Sequence, residues 1–145
     1  MEILIKQWKE AQTDAFLVRK EVFIHEQGVP AELELDEYDP LAVHALAYQD
    51  GQCIGTGRLI ELDNGRAQIG RLAVLVQFRG GGTGKQILET LVRLARSQGT
   101  KLIILHSQIA AIPFYEKLGF KAEGPIYDEV GIPHRNMILL LPISM

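Results

Sequence analysis

The sequence predicts an α/β domain: a mixed, mostly antiparallel sheet of six to seven strands with helices on both faces. Three observations lead there. Alternating segments near 43–48 and 53–62 are joined by Gln49-Asp50-Gly51-Gln52, and Asp63-Asn64-Gly65 turns into a third, so the early strands run as hairpins. The stretch from Ala67 to Gln98 reads strand, glycine-rich turn, amphipathic helix. An apolar strand and a short helix follow, and this βαβα order adds a parallel crossover with helices against the sheet.

Each element has a local reason. Glu2 to Trp8 alternates and reads as the first strand. Thr13 or Asp14 can cap a helix carrying Phe16, Leu17, Val18 and Phe23, which Gly28-Val29-Pro30 breaks. Residues 31–41 are acidic and bounded by Pro30 and Pro40, a loop with room for one short helical turn. In the central unit Leu72 to Val76 is an unbroken apolar run, as in a strand covered on both faces. Gly84, Ile87, Leu88, Leu91, Leu94 and Ala95 form one stripe of the helix that follows, and Gly99 stops it. Lys101 to Ser107 is a buried strand. Ala110 to Leu118 is a short helix ending at Gly119, with Pro113 in its first turn. Phe120 onward and Asn136 to Leu141 supply closing strands around a loop containing Gly124-Pro125 and Gly131-Ile132-Pro133. No repeat or linker interrupts residues 1–145, which read as one domain.

Hydrophobic content of 47% and charged content of 23% are ordinary for a water-soluble domain. No apolar run is long enough for a membrane helix, and Met1 to Lys6 lacks the pattern of a signal peptide. The single cysteine, Cys53, forms no internal disulfide and suits a reducing cytoplasm, the expected location. The four histidines and Cys53 have no metal-ligand spacing, so no metal is expected. The net charge of −3 hides an asymmetry. Glu21 to Gly57 holds eight acids and no Lys or Arg, whereas Arg66 to Lys101 holds seven bases and one acid. The basic segment suits a polyanion, the acidic one a cationic acceptor. The bases gather around the glycine turn and are not interleaved with aromatics along a face, which argues against nucleic acid.

That turn is Arg79-Gly80-Gly81-Gly82-Thr83-Gly84, with four glycines in five positions. Little Cβ bulk lets backbone lie against a ligand, and bare amides entering a helix N-terminus favour phosphate. A Walker A loop fails, because Arg79 stands at its first glycine and Gln86 follows Lys85. A G-x-G-x-x-G fingerprint fails at Lys85. Arg/Gln-x-x-Gly-x-Gly/Ala fits at Arg79, Gly82 and Gly84.

About thirty residues on, Gln108 to Phe120 contains Phe114-Tyr115-Glu116 and ends Gly119-Phe120. With Leu72-Ala73-Val74 and the glycine turn, this resembles the GNAT-type N-acetyltransferases over the second half of the chain. Val22 to Gly28 and Asp36 to Asp39 are similar to an ElaA-like bacterial branch of that family. The resemblance implies an acyl-CoA N-acyltransferase fold, acetyl-CoA as cosubstrate, and transfer of its acetyl group to a primary amine. It implies that Gly80, Gly81, Gly82, Thr83 and Gly84 hold the pyrophosphate, with Arg79 and Lys85 adding charge. Leu72, Ala73 and Val74 would take the pantetheine arm as an added strand, and Gln108 stands where many relatives carry an Asn that touches the cofactor. Tyr115 is implied as the acid that protonates the leaving thiolate. A small-molecule or peptide amine is the implied partner, and a homodimer is in keeping with the family. A non-catalytic CoA-binding regulator on the same fold is the alternative reading.

The base is open. Many relatives carry a Glu just before the Leu-Ala-Val segment, where this chain has Gln68, Gly70 and Arg71. Candidates are His44, His106, and Glu26 or Glu32 of the acidic segment, or a water relay. Glu26 and Glu32 are also the expected contacts to a cationic acceptor.

Overall fold

The computed structural model describes residues 1–142. Seven strands form one sheet: β1 (Glu2–Gln7), β2 (Val43–Gln49), β3 (Gln52–Glu61), β4 (Arg66–Val74), β5 (Leu102–Gln108), β6 (Lys121–Glu129) and β7 (Ile132–Leu140). Their spatial order is β1-β2-β3-β4-β5-β7-β6, with only β4 and β5 parallel. The mixed, mostly antiparallel sheet expected from the sequence is therefore present.

Alternation along β2 shows how the two faces are filled. Ala45 and Ala47 join the core that holds Ile87, Leu88 and Leu91 of α3 (Thr83–Ser97), while Leu46 packs with Ala11 and Ala15 of α1 (Trp8–Arg19). The short helix α4 (Ile112–Glu116) contributes Ile112, Phe114 and Tyr115 to the α3 side. The Asp50-Gly51 and Asn64-Gly65 turns carry positive φ at both residues, which their hairpins require.

Several boundaries differ from expectation. Helix α1 begins at Trp8 straight out of β1, so Thr13 and Asp14 lie inside it and cap nothing. Asp14 instead accepts the Tyr48 hydroxyl at 2.7 Å. The helix widens into a π-helical stretch, Lys20–Glu26, and ends before Gly28. In the acidic segment a short helix, α2 (Ala31–Glu34), is followed by a 3-10 turn, Asp39–Leu41. The run Leu72 to Val76 is not a doubly covered strand: β4 stops at Val74, and Val76 opens an exposed 3-10 turn. Gly124-Pro125 lies within β6 where its register with β7 shifts, and the connecting turn is Val130-Gly131. Edge strand β6 tolerates Pro125 because its outer side has no partner to bond.

Candidate active site

Parallel pairing between β4 and β5 covers three residue pairs and ends at Gln68 and Ile104. Beyond that, β4 runs on to Val74 and β5 to Gln108, so the sheet opens a mouth between them. A bulge shapes its β4 side: Thr56 faces Ala73 but Arg58 faces Gly70, leaving Arg71 and Leu72 opposite Gly57 alone. Arg71 has φ +50, a left-handed conformation costly for a side-chain-bearing residue. Leu75 N–H bonds back to Ile54 on β3 at 2.9 Å, so alternation turns the peptide groups of Val74 toward the mouth.

The glycine turn lies at the far end of β4. Gly82, with φ +84, precedes α3, and no side chain caps the helix. The first amides of α3 therefore have no intrahelical acceptor. A Cβ built on Gly80, Gly81 or Gly82 would meet no atom within 4 Å, so the cradle is open on that side. Thr83 is buried, its hydroxyl toward Met1 Sδ, and can offer only backbone to a ligand there. Lys85 is exposed beside it. The Phe114 ring comes within 3.6 Å of the position a Gly84 Cβ would take. Helix α4 thus meets the start of α3, and the two sequence motifs share one site.

A family model for an acetyltransferase (GNAT) domain matches residues 7–141. The chain is an acetyltransferase of the GNAT family. It is 37% identical over 140 residues, 95% of its length and 99% of the relative's, to an uncharacterized N-acetyltransferase, YjcF, of Bacillus subtilis. An acyl-CoA N-acyltransferase from Pseudomonas aeruginosa superposes with a TM-score of 0.84 at 28% identity, covering 95% of this chain and 99% of that one. Escherichia coli ElaA has the same fold, with a TM-score of 0.84 at 23% identity over 94% of this acetyltransferase and 97% of its own chain.

Tyr115 sits between Phe114 and Phe120, ring centroids 5.1 and 6.0 Å away, and burial pushes its phenol up to about 12. Gln108, at the end of β5, donates to Gln27 Oε1 at 2.8 Å. The neighbouring Glu26 takes Arg79 in two bonds of 2.7 and 2.8 Å, and Arg79 Nε donates to Val74 O at 2.9 Å. Glu26 and Gln27 together span the mouth from the α1 side. Glu26, expected to meet an acceptor, is engaged with Arg79 at the head of the glycine turn, which holds its carboxyl below the usual range.

The acid-rich segment is also not a free anionic lining. Glu34 and Asp39 hold the fully buried Arg19, Asp36 and Asp39 hold Arg58, and Asp36 reaches Arg71 at the bulge, at 3.2 Å. Glu32 remains exposed on α2.

The two histidines separate cleanly. His44 is 1% exposed, lies on Trp8, and donates from Nε2 to Asp39 O at 3.0 Å. Burial holds its pKa below the ordinary value, so it is a neutral structural ring with no route to a substrate proton. His106 stands on β5 at the mouth, half-exposed, its Nδ1 3.0 Å from Glu129 Oε1. Glu129 and its neighbours Tyr127 and His134 are residues that sequence reasoning missed. No spacing signals them, because β6 and β7 bring them beside His106 from more than twenty positions away.

Proposed function

We propose that this acetyltransferase moves an acetyl group from acetyl-CoA to a primary amine, with Tyr115 as general acid and His106 as general base. The observation that carries this is the meeting, at one opening of the sheet, of bare α3 amides with Tyr115 on one side and His106 on the other. The open cradle at Gly80 to Gly82 and the uncapped helix fit a pyrophosphate. The Val74 N–H, turned to the mouth, suits the pantetheine arm, with Leu72 and Ala73 beside it, while the Val74 carbonyl already accepts from Arg79. Lys85 adds positive charge at the rim, the charge of Arg79 being already met by Glu26, and Gln108 would lie beside the arm.

Bound there, the thioester supplies an acyl carbon to which a C–N bond forms as its C–S bond breaks. His106 Nε2 takes a proton from the incoming ammonium, leaving a lone pair on nitrogen for attack. After attack the nitrogen carries one proton too many and loses it to solvent as the intermediate collapses. Tyr115 donates its proton to the departing sulfur and regains one from solvent, so with the proton first taken by His106 each turnover releases one proton overall. A phenol shifted upward is a weaker acid, but the apolar surroundings that shift it also penalise a thiolate beside it. Both values rise together, and the transfer stays close to balanced. A backbone N–H from the β4 edge facing the carbonyl oxygen would add on the order of 3 kcal/mol as charge develops.

Following thiol release from acetyl-CoA across a panel of primary amines tests the reading. Tyr115→Phe is expected to lower kcat by about a hundredfold while calorimetric affinity for CoA changes less than twofold. An unchanged rate removes Tyr115 from the chemistry, and absence of CoA binding removes the reading altogether.

A further inference from the structure

Helix α1 packs on β1 to β4. On the same face of the other half-sheet, Leu102, Ile104, Ile138 and Leu140 fill one end, and the end toward the mouth is polar. Register shows which side chains share it. His106 faces Asn136, Gln108 faces His134, Tyr127 faces His134, and Glu129 faces Ile132. Their neighbours Leu105 and Met137 point the other way, into the core.

The contacts on this face fix one ring. A carboxylate can only accept, so the 3.0 Å contact with Glu129 Oε1 puts the His106 proton on Nδ1 and leaves the Nε2 lone pair free. On its other side Glu129 Oε2 lies 3.6 Å from His134 Nε2, beyond hydrogen-bond distance. His134 is anchored by its Nδ1–H to Ile132 O at 2.7 Å and stacks on Tyr127. Tyr127 meets His106 edge-on at 6.0 Å and bonds Asn136 through its hydroxyl. The hydrogen bond from His106 keeps Glu129 ionised against the cost of partial burial, and the positive charge of Arg71 adds to it. His106 lies past Ile104, where β5 has parted from β4, so His106 and the Glu129 bonded to it stand at the mouth.

Resting on the transfer reading above, we propose that the polar face of β5, β7 and β6 is the floor of the acceptor site. At the mouth end of that face Glu129 is a positioning residue that locks His106 with Nε2 free to deprotonate an aliphatic primary ammonium. The acceptor class follows from the need for a base. An alkyl amine, with a pKa of about 10, arrives charged at neutral pH and must lose a proton before attack, whereas an aromatic amine arrives neutral.

Nitrogen-15 spectra of the histidine rings in the wild type and Glu129→Gln test the lock without turnover. His106 is expected as the Nδ1–H tautomer in the wild type and as a mixture in the variant; the same tautomer in both overturns the proposal. Glu129 is half-exposed beside a hairpin turn, so the fold should tolerate this change. In thiol-release assays with an alkyl amine, Glu129→Gln is expected to lower kcat at least about tenfold, with KM for acetyl-CoA within twofold. Glu129→Asp should recover part of the loss. Full kcat in Glu129→Gln, or a loss confined to the KM for acetyl-CoA, overturns the proposal. A wild type that acetylates no amine counts against the transfer reading, while the spectra still decide the lock.

Discussion

Gly81 and Gly82 are adjacent but answer to different constraints. Gly82 has φ +84, where a side chain is strained whatever space surrounds it. Gly81 has no positive φ and open space beyond its Cβ position. Gly81→Val should therefore leave the melting temperature unchanged while the isopropyl group covers the amide cradle. Its affinity for CoA should fall at least about tenfold, or 1.4 kcal/mol, in calorimetry. Gly82→Val should lose affinity and stability together. If Gly81→Val binds CoA as the wild type does, the pyrophosphate lies elsewhere. At this scale the proposed cofactor side could be named from the sequence, because bare backbone, a basic residue and a helix start are consecutive. Tyr115 was legible for a similar reason, through its motif. The proposed acceptor side was not: strand register alone brings Glu129, Tyr127 and His134 beside His106, and it is burial that sets His44 apart from His106.

Among the elements, the approach of α3 to β3 decides how firmly the glycine turn is held. Gly55 and Gly57 make it possible. A Cβ on Gly55 would lie 2.8 Å from Ile87 Cδ1 and 3.2 Å from Ala73 O, and one on Gly57 3.0 Å from Ile87 Cγ2. Gly55→Ala should force α3 outward or twist Ile87 off its rotamer, costing about 1–3 kcal/mol in denaturant unfolding. Because Ala73 and α3 flank the mouth, CoA affinity should fall with it; a neutral result would mean Ile87 repacks freely. Most elements could be read from periodicity and turn chemistry, including the strand-to-helix unit, both early hairpins and the stop at Gly99. Two errors share a cause. The start of α1 at Trp8 and the end of β4 at Val74 are set by contacts outside the local sequence: α1 packs at once on β2 and β3, and the bulge ends the ladder early.

Over the whole molecule, three arginines and three acids tie the first helix to β3 and β4 through the acidic segment. Arg19 of α1, Arg58 of β3 and Arg71 of β4 meet Glu34, Asp36 and Asp39. The acidic run that looked like a lining for a cationic acceptor is largely an internal counter-charge, a distinction invisible when partners lie 15 to 37 positions apart. Asp39→Asn would leave Arg19 and Arg58 short of a carboxylate, at a cost of about 3 kcal/mol or more. The same network sets the acid limit of the fold. Burial alone would raise Asp36 and Asp39, but the hydrogen bonds and charges of their arginines outweigh it, and both lie below their ordinary 3.8. The native state then holds fewer protons than the unfolded chain, so this stability is complete above that value and drains away as pH falls through the native ones. His44 adds an earlier step of the same sign. Burial lowers its pKa from 6.5, so on acidification the unfolded chain takes up a proton that the native state refuses. Urea midpoints should decline gently below about pH 6.5 and steeply below about pH 4. His44→Gln should remove the first decline and keep the second. A midpoint that stays flat in the wild type until pH 4 would mean that His44 takes up its proton in the folded state, contrary to its burial under Trp8.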